Sequence, residues 1–432
     1  MQRMTRSRVG WVASGAAAVS LGWWVLQVRE PAPSSGERAL EVLEQALEVL
    51  ATGGGHPPLG RREALGLASD AEAALLDRVR AVQTLARIGD DQALQMLERL
   101  LAGEAPLPLR AQVASALGDT EHPAAGRLLD RLLRAPELPV RMGAVEGLAR
   151  RGGPDAVAVL RGLLLDGDES LALRMQVAES LGGMASPLAS QTLAVALRVP
   201  ADPKLVDAIL MGLGERPFAE TELVFRALLG DEAVSRETRI AALDALASSS
   251  AEAAPLLLDH ARGSPDAGER RAAVQSLAWL DDAADAPASL RDLIEVELDP
   301  SVREALYRGL TLHPEAAYRR GDAERIVARV ASEPEPGSRL QGSRLVAAMV
   351  RANADPDLAG GFDRFTLPWL VERVRDPAAN RSERLLALDA LKLAGTPVAL
   401  DAIRAAAQGR DPVVAPAAER ALSFPSPPRP TR

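Results

Sequence analysis

The chain predicts an all-α fold, an α-solenoid of stacked antiparallel helix pairs preceded by an N-terminal transmembrane helix. Three observations carry that expectation. Leucines recur at Leu85, Leu117, Leu148, Leu181, Leu213, Leu246, Leu277 and Leu310, 31 to 33 residues apart, and again at Leu391 and Leu422. Seven residues before most of them stands an arginine: Arg78, Arg110, Arg141, Arg174, Arg239, Arg270, Arg303 and Arg384. A period of this size is one helical hairpin repeated many times, each too thin to bury its apolar face alone. The third observation is an uncharged run of twenty residues from Val9 to Val28.

That run follows Arg3, Arg6 and Arg8 and is closed by Arg29 and Glu30. At 1.5 Å per residue it spans roughly 30 Å, the thickness of a bilayer's hydrocarbon core. Trp11, Trp23 and Trp24 are its interfacial aromatics, and the arginine bias places the N-terminus in the cytoplasm. The expectation is an uncleaved signal anchor, single-pass in the inner (cytoplasmic) membrane, with the body periplasmic or otherwise extracytoplasmic. A cleaved signal peptide and a buried helix are the alternatives. Cleavage at Ala16-Ala17-Ala18 would leave Trp23 and Trp24 exposed. Ser14, Ala18 and Gly22 line one face and could support a homodimer through the transmembrane helix.

After the linker Pro31–Gly36, Arg38–Leu50 reads as an amphipathic helix and Arg61–Leu76 as a second, together capping the stack. Regular units begin at Arg78. Each has an arginine-led helix, a turn rich in Gly, Asp or Pro, and a second apolar helix. Val113 and Ala114, Ala144 and Val145, and Val177 and Ala178 complete stripes at helical spacing with the ladder leucines. Their small members let neighbouring backbones approach. Val206 replaces the arginine in the fifth unit.

Arg110–Asp119, Arg174–Gly182 and Arg78–Asp90, the last ending Leu85-Ala86-Arg87-Ile88-Gly89-Asp90, resemble HEAT-like repeats, most closely the short subtype named after phycobilisome lyases. The resemblance runs from residue 78 to 422. It implies a right-handed superhelix with a concave partner-binding face. It also implies that the ladder arginines bond acids or carbonyls of neighbouring turns, with Glu137, Asp266 and Asp299 placed to serve. The expected organisation is a signal anchor over 1–30, a linker over 31–37, an N-terminal helical cap over 38–77 and regular repeats over 78–312. An irregular repeat with longer loops follows over 313–375, then C-terminal repeats over 376–423 and a disordered tail over 424–432.

The ladder stretches between Leu310 and Leu391, which are 81 residues apart. The excess falls in His313–Arg320, Ser332–Ser338 and Ala352–Leu367. Longer loops on one side of a solenoid are where a specific partner is held. Phe362, Phe365 and Trp369 cluster there in a chain with 3% aromatics. They are the candidate partner-binding residues, with filling of a wider helix pair as the alternative.

Net charge is −9, and the only lysines are Lys204 and Lys392, a poor electrostatic footprint for nucleic acid. Absence of cysteine excludes disulfides, thiolate metal sites and cysteine nucleophiles. His56, His122, His260 and His313 have no ligand spacing. Asp166–Ser170 opens like a calcium loop, but Val177 stands where its glutamate is required. Gly55–Arg61 imitates a phosphate loop without its lysine. Asp90-Asp91 and Asp281-Asp282 sit at helix starts and turns, where carboxylates bond free N–H groups. No catalytic, cofactor-binding or metal-binding residue is nominated, and no enzyme activity or cofactor is expected. The function expected is a membrane-anchored extracytoplasmic scaffold, in a bacterial envelope, binding a protein or peptide partner through its concave face. The alternatives are a structural tether of an envelope complex assembling through its transmembrane helix, and a lyase-like or cofactor-presenting protein.

Overall fold

The computed structural model describes residues 59–423 except 104, 200, 281–285, 320, 322 and 354. The chain falls into two compact units, divided between Gly212 and Leu213. Each is a row of helix pairs, with no strand among the described residues.

In the first unit α1 (Arg61–Ser69) precedes α2 (Leu75–Ile88) and α3 (Asp91–Ala102). The stretch expected as one helix over Arg61–Leu76 is therefore split. Asp70 ends α1 and turns the chain by accepting the Glu72 N–H at 3.0 Å. Then come α4 (Leu107–Ala116), α5 (Pro123–Leu132), α6 (Leu138–Arg151), α7 (Gly153–Leu165), α8 (Leu171–Gly183), α9 (Pro187–Ala196) and α10 (Pro203–Gly214), whose last two residues fall in the second unit. Proline opens α5 and α9, where its missing N–H costs no hydrogen bond. Gly89 ends α2 at φ 64°, the left-handed conformation that glycine adopts without penalty.

The arginine-led helices α2, α4, α6 and α8 pack in sequence. Their ladder leucines are buried. The approach of α4 to α6 is backbone to backbone. A Cβ on Gly143 would lie 2.2 Å from the Ala111 carbonyl oxygen, and one on Gly118 would lie 2.3 Å from that of Gly147. The small residues along this row are what allow that spacing.

The second unit continues with α11 (Phe218–Gly230), α12 (Arg236–Ala245), α13 (Ala254–Gly263), α14 (Ala267–Trp279), α15 (Ala286–Val296) and α16 (Pro300–Leu310). Next are α17 (Pro314–Ala317), α18 (Ala323–Ala331), α19 (Pro336–Ala352), α20 (Pro356–Gly361), a π turn at Phe362–Thr366 and α21 (Leu367–Arg375). It ends with α22 (Arg381–Ala394), α23 (Pro397–Ala407) and α24 (Val414–Ser423). Its arginine row is α12, α14, α16, α19 and α22, each in contact with the next. Leu422, the last ladder leucine, is only half-buried.

The transmembrane helix expected over Val9–Val28, with Trp11, Trp23 and Trp24, lies outside the described residues, as do Arg38–Leu50 and the tail after Ser423. Among the described residues no helix is long and apolar enough to cross a membrane. The longest, α19, has 17 residues and carries Arg339, Arg344 and Arg351 along its length. The expected fold is thus corrected to helix pairs with no spanning helix among the described residues. The single-pass inner-membrane location with a periplasmic body rested on that helix and is withdrawn with it. So is dimerisation through it.

Candidate functional site

The ladder arginines could have lined a groove for anions, so their partners decide what they do. In the first unit Arg78 donates to the Ala68 carbonyl at 3.3 Å, and Arg174 to that of Leu164 at 2.9 Å. Arg141 donates to the Leu133 carbonyl at 2.7 Å and to Glu169 at 3.0 Å, while Arg110 pairs with Glu137 at 2.9 Å. In the second unit Arg239 bonds the Val234 carbonyl and, at 2.7 Å, Glu269. Arg270 bonds the Ser264 carbonyl at 3.0 Å and grips Glu297 through two nitrogens at 2.8 and 2.9 Å. Arg303 bonds the Leu298 carbonyl at 2.6 Å and Glu333 at 2.6 and 2.7 Å, and Arg384 bonds the Val374 carbonyl and Asp411.

One pattern covers these contacts. The guanidinium satisfies carbonyls left free where the preceding helix ends. Where an acid is available, it also grips a carboxylate just before or in the first turn of the next repeat's first helix, 27 to 30 residues on. The acids singled out from sequence do not serve the arginines that follow them. Glu137 belongs to Arg110 of the repeat before. Asp266 pairs with Arg236 at 2.7 Å and caps α14, and Asp299 caps α16 by accepting the Ser301 N–H at 2.8 Å. The calcium-like segment is explained too: Glu169 is the partner of Arg141, and Ser170 caps α8.

Burial disfavours ionisation of Glu297 and Glu333, but the hydrogen bonds from Arg270 and Arg303 outweigh it and hold both carboxyls below the usual range. The Arg236 hydrogen bond brings Asp266 down to about 2, and that of Arg384 does the same for Asp411. The ladder's charge is therefore largely consumed inside the stack.

The stretched segment differs. Its arginine-led helix is α19, with Arg339 and the fully buried Val346 at the ladder spacing. This rung escaped the sequence pattern because it lies 36 residues after Leu310 and 45 before Leu391. Arg339 is half-buried and makes no ion pair among the described residues. Its guanidinium lies 4.7 Å from the Trp369 ring centroid, with Arg373 at 5.4 Å from the same ring. Desolvation lowers the pKa of Arg339 from its ordinary value. Of the three candidate aromatics, Phe362 is fully buried, Trp369 is half-buried beneath arginines, and Phe365 is 48% exposed beside Arg364.

Between α15 and α18, second helices of neighbouring repeats, lies a cleft of about 620 Å³. Arg291, Arg319, Arg325 and Arg329 line it together with Asp292, Glu295, Ile294 and Ile326. The isoleucines are buried, whereas Val296 and the nearby Leu298 are 68% and 85% exposed. Arg291 donates to Asp292 at 2.8 Å, and Arg325 stands 3.8 Å from Glu295. Arg329 donates to the Glu297 carbonyl at 3.1 Å, yet its buried Nε has no partner. Arg319, from the expected irregular segment, is exposed without an ion pair among the described residues. Sequence reasoning missed the cleft because its two walls are separated by α16 and α17. Among the described residues no group of three His, Asp or Glu side chains is placed to hold a metal ion.

The family model for HEAT repeats matches residues 125–214 and 192–278, and that for the PBS lyase HEAT-like repeat matches residues 77–103. No curated protein matches the chain. Similar solved structures include Kap121p bound to Pho4p, at 13% identity and a TM-score of 0.47, covering 95% of this chain and 49% of that one. Kap121p alone is 12% identical with a TM-score of 0.46 and the same coverage. An engineered protein is 16% identical with a TM-score of 0.36, covering 84% of this chain and 98% of that one. The chain spans about half the length of the Kap121p chains that it matches. Residues 77–103 and 125–278 are thus HEAT-like repeats, and the same arginine-led helix pair recurs in both units.

Proposed function

We propose that this chain is a non-enzymatic scaffold that binds a protein or peptide partner through the side of the second unit formed by α15, α18 and the segment 313–375. One contrast carries the reading. The other ladder arginines are each bonded within the stack to a carbonyl, a carboxylate or both, whereas the Arg339 guanidinium has neither among the described residues, Arg319 makes no ion pair among them, and Val296, Leu298 and Phe365 face water. Apolar side chains beside unpaired guanidinium groups are the composition of a contact surface.

Deleting 313–370 would remove α19, whose side chains are largely buried, so the test uses point replacement. A photo-crosslinking amino acid is placed at Leu298 or Phe365 of the full chain, with Leu223 on α11, as exposed as Leu298, as control. Crosslinks to one partner protein from the first two positions and not from Leu223 are expected. Equal yields at all three, or none, would remove the reading.

A further inference from the structure

The α15–α18 cleft has a chemistry more specific than its exposure. Its floor is aliphatic, from Ile294 and Ile326, and four guanidinium groups stand among two carboxylates around it. Asp292 and Glu295 occupy Arg291 and Arg325 in part. Arg319 and the Nε of Arg329 are left without an acceptor among the described residues. A buried N–H with no acceptor is costly, and an incoming oxygen would relieve that cost. We propose that the cleft is an anion-recognition site for the carboxylates of an acidic, partly apolar peptide segment of the partner. This deepens the scaffold reading above and rests on it.

The distribution of charge favours carboxylates over a polyphosphate. Planar guanidinium forks match single carboxylates through paired hydrogen bonds. Asp292 and Glu295, set between the arginines, interrupt the positive charge and disfavour a continuous run of phosphates. The aliphatic floor then accommodates the methylenes of glutamate or a neighbouring leucine. Arg319 is exposed and bonded to nothing else among the described residues, so replacing it tests recognition without disturbing the stack.

The experiment measures fluorescence anisotropy of a labelled peptide of alternating glutamate and leucine with the full chain. Its glutamine–leucine counterpart and a single-stranded RNA are run beside it. The glutamate peptide is expected to bind saturably, about tenfold more tightly than the glutamine one, and to weaken as salt rises from about 0.05 to about 0.3 M. Arg319→Glu should cost about tenfold or more, and Arg404→Glu, on the distant α23, should cost nothing. Equal binding of the two peptides, preference for RNA, indifference to Arg319→Glu, or no binding would each overturn the proposal. Selective crosslinks at Leu298 and Phe365 alongside such a result would leave the scaffold reading standing and remove only its charge selectivity.

Discussion

Arg303 and Glu333 face each other across neighbouring repeats through two parallel hydrogen bonds of 2.6 and 2.7 Å, with the Tyr307 hydroxyl donating a third to the same carboxylate at 2.7 Å. Their side chains are 6% and 1% exposed. Removing one partner strands a buried charge, so Glu333→Ala should cost about 3–5 kcal/mol in urea unfolding. The combination Arg303→Met, Glu333→Leu and Tyr307→Phe removes the three polar side chains at once, leaving only the Glu297 and Leu298 carbonyls without the Arg303 donor, and should be less destabilised. Equal losses in the two variants would mean that the contact itself, rather than the stranded charge, sets the cost.

Acid should loosen the stack. Glu297, Glu333, Asp266 and Asp411 all have folded pKa values below their ordinary ones, the last two at about 2. Groups lowered in this way contribute stability above the unfolded value and lose it as pH falls through the folded one. The thermal midpoint is expected to hold from pH 7 to about 5 and to fall between about pH 4.5 and 2. Asp411→Asn should flatten the lowest part of that fall.

Glu146 has the opposite sign. Burial raises its pKa, against the lowering effects of the Ser115 hydrogen bond, 2.8 Å long, and of Arg150. Its charged form therefore destabilises the fold at neutral pH, and the penalty disappears as acid protonates it. Glu146→Gln should melt above the parent chain at pH 7, with the difference closing by about pH 4. A difference that grows with acidification would contradict this.

Two helical glycines should respond to alanine in opposite directions. At Gly143 the new Cβ would meet the Ala111 carbonyl oxygen at 2.2 Å, so overpacking of about 1–3 kcal/mol outweighs any gain in helix propensity. At Gly162 of α7 no atom lies within 4 Å, and Gly162→Ala should gain about 0.5–1 kcal/mol. Denaturation midpoints of the two variants decide it.

Phe362→Ala should cost about 3–5 kcal/mol, because that ring is fully buried. Phe365→Ala should stay within about 0.5 kcal/mol of the parent and instead reduce partner capture. The paired measurements are a melt and the crosslinking yield.

What could be read from residues alone was periodic. The leucines from Leu85 to Leu310 recur at the repeat length, and a buried leucine at a fixed helical position leaves that trace in any single chain. The arginine partners left none, because Arg110 takes an acid 27 residues on and Arg239 one 30 residues on. The rung at Arg339 and Val346 was hidden by the longer connections on both sides. Phe362 and Phe365 are three positions apart in the same π turn, yet one is buried and the other faces water. Only the packing of α18, α19, α20 and α21 around that turn separates them. A cleft built from α15 and α18 leaves still less trace, since its arginines resemble any others on a solvated helix.

The arginine–acid joint has a consequence for how such a chain can change length. Each repeat with a complete joint carries a donor for the repeat ahead and an acceptor for the one behind, so neither half is paired within its own hairpin. Duplicating a whole repeat in phase copies one donor and one acceptor, and every junction closes with its charges matched. Cutting within a repeat separates the two and strands a guanidinium at one junction and a carboxylate at the next. Growth or loss by whole hairpins is electrostatically neutral, and any other increment must be compensated elsewhere, as the stacking of Arg339 on Trp369 does where the spacing departs from the period.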